Sequence, residues 1–191
     1  CYLSTVSIES LKQTFDLKFQ FLHFPLHPET PDEGIELSHL FPNRDPEDFK
    51  AVGTHLRNLM EEAGLPYGKR ERTYNSRLAQ EFAAWGDAET SSVDLIHDAL
   101  FAAYFVDNRN IGSMGVLIEI AQDLSLDDKR AEEVLKHRLY SLKVNEDWQR
   151  AWATGVTGVP TFTAKELYVY GHQPPEVLSR FIKHLDTIDS N

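Results

Sequence analysis

Between residues 49 and 152 apolar side chains recur every three or four positions, whereas residues 17–21 alternate strictly and two short β-rich runs follow Gly155. A repeat near 3.6 lines up one face of a helix, whereas a repeat of two lines up one face of a strand. A chain carrying both, in separate blocks, must pack helices against a sheet. Within the helical block, residues 49–63 read as one helix, stopped by Gly64 and Pro66. Leu78, Phe82 and Trp85 mark a second, and Val93, Ile96, Leu100 and Tyr104 a third. Val116, Leu117, Ile120 and Leu124 follow Ser113, a candidate N-cap. Residues 125–128 then open a helix carrying Ala131, Val134 and Leu135. Tyr140, Val144, Trp148 and Trp152, each four residues from the next, complete the block, with both tryptophans expected in the core.

The two ends have a different character. Residues 3–14 read as a helix with Leu3, Val6, Ile8 and Leu11 as its apolar face. Residues 17–21 alternate strictly, and 22–24 continue the run, which predicts a strand. Pro25, Pro28 and Pro31 then impose a surface loop as far as Gly34. At the other end, residues 161–164 and 167–170 flank Lys165 and Glu166 at hairpin spacing. A helix follows from Pro174-Pro175, with Val177, Leu178, Phe181, Ile182 and Leu185 on one side. Helix 3–14 lacks a strand to cross over from. One further strand before residue 1 would make the ends read β-α-β and β-β-α, a complete small sheet. The organisation expected is therefore an α/β unit of residues 1–36 and 155–191, with residues 37–154 as an all-helical insertion.

Composition narrows the function classes. The chain is 41% hydrophobic and 26% charged, as in soluble globular proteins. No run approaches about 18 apolar residues, so no membrane partner is expected. A net charge of −11 argues against nucleic acid. The richest basic cluster, Lys69, Arg70 and Arg72, shares its segment with Glu71 and reads as a solvated face. There is a single cysteine, Cys1, so neither an internal disulfide nor a cysteine metal site can form within these residues. The eight histidines are scattered; His23 and His27 flank Phe24-Pro25 and read as surface-loop residues. No metal or other cofactor is expected. Low cysteine usage and an opening without the basic-then-apolar layout of a secretory signal point to the cytoplasm.

The segment most suggestive of chemistry is Gly155-Val156-Thr157-Gly158-Val159-Pro160-Thr161-Phe162. A proline opening a strand donates no ladder hydrogen bond. With a cis bond before it, the Val159 backbone would be offered to an incoming extended peptide. Together with the hairpin and the run Gly171-His172-Gln173-Pro174-Pro175-Glu176-Val177-Leu178, this segment resembles the C-terminal half of DsbA-type thioredoxin folds. The Gly-x-Gln-Pro-Pro-Glu-Val-Leu run is typical of the FrnE-like branch. Residues 24–34, 73–79, 97–105 and 147–151 match that branch too, so the resemblance spans nearly the whole chain.

The resemblance implies a thioredoxin-like fold of DsbA type with a large all-helical insertion, its first strand missing from these residues. In that family the first strand runs into a Cys-Pro-Trp-Cys-Tyr motif at the start of the first helix. Cys1-Tyr2 aligns with the last two letters. Cys1 would then be the second, resolving cysteine of a CxxC motif, with the attacking cysteine three residues upstream. Val159 and Pro160 would hold the substrate chain across from the sulfurs. A helix N-terminus favours thiolate over thiol, and a second cysteine one turn on resolves a mixed disulfide intramolecularly.

The activity expected is that of a protein disulfide oxidoreductase or isomerase acting on protein or small-molecule thiols and disulfides. One alternative is a glutathione-dependent isomerase or transferase of the kappa-class type, with a serine in place of the upstream cysteine. The other is a non-catalytic thioredoxin-like binding module. Phe101 and Tyr104, on the insertion, are candidates either for the core or for a groove facing the sulfur.

Overall fold

A computed structural model describes residues 1–40, 45–91 and 93–189, those of Pro46, Val93, Asp186, Ile188 and Asp189 by their backbone alone. The chain opens with α1 (Ser4–Thr14), whose buried face is Ser4, Ser7 and Leu11. An extended stretch and the proline loop lead to β1 (Ile35–Glu36) and the short α2 (Leu37–Leu40). Helix α3 (Pro46–Glu62) starts as its sequence requires: the Asp45 carboxylate accepts from the Glu47 N–H. It stops at Gly64, which takes φ +69°, a conformation glycine adopts without a Cβ clash. The short β2 (Arg72–Thr73) pairs antiparallel with β1, Ile35 opposite Thr73.

Five helices follow: α4 (Arg77–Glu89), α5 (Val93–Phe105), α6 (Met114–Asp123), α7 (Asp128–Lys136) and α8 (Ser141–Ala153). Together α4, α5, α6 and α7 enclose the main core, centred on Phe82, Trp85, Ile96, Leu117, Ile120, Val134 and Leu135. Asp127 caps α7 by accepting from the Arg130 N–H, whereas Ser113 stands at the start of α6 without a capping hydrogen bond. One buried ion cluster braces this block. The fully buried Glu81 accepts from Arg77 at 2.7 Å and from Arg138 at 2.6 Å and 2.7 Å. Hairpin β3 (Thr161–Ala164) and β4 (Leu167–Tyr170) has the expected register, Thr161 opposite Tyr170 and Ala164 opposite Leu167. Helix α9 (Pro175–Asp189) returns against α1, burying Leu178.

Two expectations need correction. The stretch 17–24 forms no ladder with any described residue, so it is extended chain rather than strand. Its side chains still alternate, with Leu17, Phe19 and Phe21 half-buried and Lys18 and Gln20 exposed. Alternation comes from the residues themselves, but a strand also needs a neighbour to bond to, and no described strand lies beside it. The described strands accordingly form two separate two-stranded sheets. The second correction concerns Trp152, which is 59% exposed. A spacing of four residues drifts about 40° around a helix at each step. Val144 faces the core, Trp148 is half-buried, and Trp152 has rotated into solvent.

Candidate functional site

Cys1 is a free, exposed thiol immediately before α1. Its carbonyl accepts from the Ser4 N–H at 2.8 Å, so the residue belongs to the turn that opens the helix. Two buried serines fix this turn. The Ser4 hydroxyl lies 3.2 Å from His172 Nδ1, and the Ser7 hydroxyl donates to the Gln173 carbonyl at 2.8 Å. Small side chains on this face of α1 let the 171–173 segment come close enough to bond. Partial burial lowers the His172 pKa below that of an ordinary histidine.

The same segment reaches the proline loop. The Val159–Pro160 peptide bond is cis, and the Pro160 carbonyl accepts from the Gly171 N–H at 2.8 Å. Thr161 Oγ1 donates back to the Gly158 carbonyl at 2.7 Å. Val159 is half-buried, and no described group pairs with its backbone N–H or C=O. Ser4, three residues after Cys1, and Pro160 are thus tied to adjacent residues, His172 and Gly171. Sequence reasoning singled out Cys1, Val159 and Pro160 but not the Ser4–His172 link that joins them.

The wall behind Cys1 is aromatic. Tyr2 stacks on Phe105 with ring centroids 5.5 Å apart and touches Phe101 at 5.9 Å. Tyr2, Leu3 and Met60 are buried together, with Leu56, Leu59 and Tyr67 packed around them, so α3 and α5 both cover the start of α1. Burial raises the Tyr2 phenol pKa, and the Asp98 charge raises it further. Asp98 is itself pushed up, first by burial and then by Asp94 and Glu9. Phe101 therefore belongs to this wall. The Tyr104 hydroxyl accepts from Arg70 Nη2 at 2.8 Å and lies 2.8 Å from Thr73 Oγ1.

Two sequence readings fail here. The basic cluster is not one solvated face: Lys69 pairs with Glu71 in solvent, but Arg70 is half-buried against Tyr104 and Phe105. His23 is not a surface residue either. It is 8% exposed; its Nδ1–H donates to Asp147 Oδ2 at 2.8 Å, and its backbone N–H reaches the same oxygen at 3.3 Å. Lys143 holds the other oxygen of Asp147. Burial works to raise the Asp147 pKa, but the His23 and Lys143 hydrogen bonds outweigh it and hold the carboxyl below the usual range. His27, by contrast, remains in the loop beside Glu29.

The family profile described as a DSBA-like thioredoxin domain matches residues 1–183. The chain belongs to that family. A probable DsbA oxidoreductase from Streptomyces coelicolor superposes on this DsbA-like domain with a TM-score of 0.88 at 21% identity, covering 96% of this chain and 83% of its own. A 2-hydroxychromene-2-carboxylate isomerase superposes with a TM-score of 0.76 at 17% identity, over 99% and 91% of the two chains. The cytosolic disulfide reductase DsbM from Pseudomonas aeruginosa, solved with GSH, gives 0.64 at 15% identity, over 97% and 92%. At these identities the likeness is one of fold: a DsbA-like thioredoxin fold, rich in helix. Among the described residues no cluster of three His, Cys, Asp or Glu could hold a metal ion, and no helix is long and apolar enough to cross a membrane.

Proposed function

We propose that the protein is a thiol–disulfide oxidoreductase or isomerase of the DsbA type, in its FrnE-like branch. Cys1 is the resolving cysteine of a CxxC motif, and Val159 and Pro160 are the substrate-binding elements. The observation that supports this reading is a free thiol on the turn opening α1 and an unpaired Val159 backbone, whose neighbours Ser4 and Pro160 bond to His172 and Gly171. An extended substrate chain would bond to Val159 as an added strand bonds to a sheet edge, holding its disulfide before the helix N-terminus. Residues 1–36 and 155–191 form the thioredoxin-like unit on this reading, and 37–154 the insertion that walls the site.

Protein or small-molecule thiols and disulfides are the partners. The glutathione bound by the DsbM relative supports a small thiol, and that relative's cytosolic setting supports the cytoplasm. The isomerase relative keeps glutathione-dependent isomerisation as the second reading. The test uses the natural gene product, including whatever precedes Cys1. It is expected to catalyse reduction of a protein disulfide by dithiothreitol. Cys1→Ser should stop turnover and accumulate mixed disulfides, resolved by non-reducing electrophoresis, because the thiol that releases them is gone. A wild-type protein with no such activity would overturn the reading. Turnover that survives in Cys1→Ser with glutathione as the required thiol would favour the second one.

A further inference from the structure

One face of the hairpin carries two exposed aromatic rings, Tyr168 at 69% and Tyr170 at 58% exposure. Single apolar side chains on a surface are ordinary. What sets Tyr170 apart is where its ring rests. A Cβ on Gly158 would stand 2.8 Å from the Tyr170 hydroxyl oxygen and 3.2 Å from its ring carbon Cε2, so the ring lies against the backbone of Gly158. Glycine leaves the space that the ring takes. Gly158 precedes Val159, whose backbone N–H and C=O pair with no described group. An exposed aromatic ring and an unpaired backbone therefore stand one residue apart.

The arrangement is held by several bonds. Tyr170 stands opposite Thr161 in the ladder, so the two side chains share one face of the hairpin. Thr161 Oγ1 donates to the Gly158 carbonyl at 2.7 Å, which ties the loop to that residue. Gly171, next after Tyr170, donates its N–H to the Pro160 carbonyl at 2.8 Å. Gln173 Nε2 donates to the Tyr170 carbonyl at 2.9 Å, so the backbone beneath the ring is anchored as well. Tyr168, opposite Thr163, shares the face but lies two residues farther from the loop.

We propose that Tyr170 contacts the substrate and selects polypeptide chains with a large aromatic side chain close to the reacting cysteine. This rests on the oxidoreductase reading, in which Val159 binds the substrate as an added strand, and it names the class of chain bound. A chain added along Val159 lies about 4.8 Å from the loop backbone, and every second side chain of it stands on one face. Aromatic side chains reach diagonal neighbours about 7–8 Å away across strands. A substrate side chain on the Tyr170 face thus meets the open side of the ring. An aromatic one gains most, because offset and tilted ring pairs add to what burial alone supplies. A small thiol too short to carry a side chain there gains nothing from Tyr170.

The test uses the natural gene product, including whatever precedes Cys1, and two synthetic peptides made into symmetric disulfides through their single cysteines. One carries phenylalanine and the other alanine at the two positions on each side of the cysteine, and both end in lysine for solubility. The kcat/KM for reduction by dithiothreitol is measured with each. The wild type is expected to prefer the phenylalanine peptide, and Tyr170→Ala to lower that preference about threefold to tenfold, the range that one ring pair supplies. Tyr170→Phe should keep most of the preference and Tyr168→Ala all of it. No preference in the wild type, or one unchanged in Tyr170→Ala, overturns the proposal. So does an equal loss with both peptides, which would mean a misplaced proline loop, or an equal fall in Tyr168→Ala, which would spread the effect over the whole face. A wild type that reduces neither peptide counts against the oxidoreductase reading instead. Calorimetric titration with the phenylalanine peptide bearing serine for cysteine then reads Tyr170 without any redox step. Binding weakened in Tyr170→Ala but not in Tyr168→Ala upholds its role, and binding that is absent or independent of Tyr170 overturns it.

Discussion

Asp147 lies on the buried stripe of α8 between Val144 and Ala151, where helical spacing assigns an apolar side chain. At 2% exposure its carboxyl is still held below the usual range, because the His23 and Lys143 hydrogen bonds outweigh its burial. Asp147→Ala is expected to cost about 2–3 kcal/mol, since it strands the buried His23 N–H, and a shifted urea midpoint would show it. A loss under about 0.5 kcal/mol would mean that the pair is screened by water. The sequence carried a signal for Asp147, a charged residue within an apolar stripe, but none for its partner. His23 follows an alternating run and precedes a proline, and both suit a loop. Only the return of α8 across that run, more than a hundred positions later in the chain, buries it. Cys1 and Pro160 were legible for the opposite reason: each sits in a motif whose meaning is local.

At the scale of elements, the 3.6 repeat located α3 to α9 because each buries one face, and burial follows the repeat. Phe82, fully buried on α4, should cost about 3–5 kcal/mol when replaced by alanine, read from thermal or urea unfolding. Trp152→Ala should stay within about 0.5 kcal/mol despite the larger side chain, because the last turn of α8 carries it into solvent. Equal effects in the two variants would refute the packing of α8. The hairpin was equally legible, since both of its strands lie within one short segment and pair with each other. The 17–24 run was not, because pairing is a property of two segments and the alternation describes one.

For the whole molecule, three ion clusters respond alike to acid. The Arg130 and Tyr140 hydrogen bonds hold Glu89 at about 2. Glu81 is lowered because its arginine bonds outweigh its burial, and Asp147 for the reason given above. A carboxylate whose pKa falls on folding stabilises the fold above its unfolded-state value, and that stability is lost as pH drops through the folded value. Asp98, raised by burial, works the other way, but as one group against three. Urea midpoints should therefore fall steadily from about pH 4.5 downwards; a midpoint at about pH 3 equal to that at about pH 6 would contradict this. The three clusters lie mainly in the helical block, so helical circular dichroism is the signal to follow. Periodicity and local motifs were enough to order the elements, place the thiol at a helix start and mark the proline loop, because those features depend on near neighbours in sequence. The stacking of Arg70 on Tyr104 and Phe105, the His23–Asp147 pair and the Ser4–His172 link between the two ends came from tertiary structure alone. Each depends on which distant segment arrives and which polar or aromatic groups it brings.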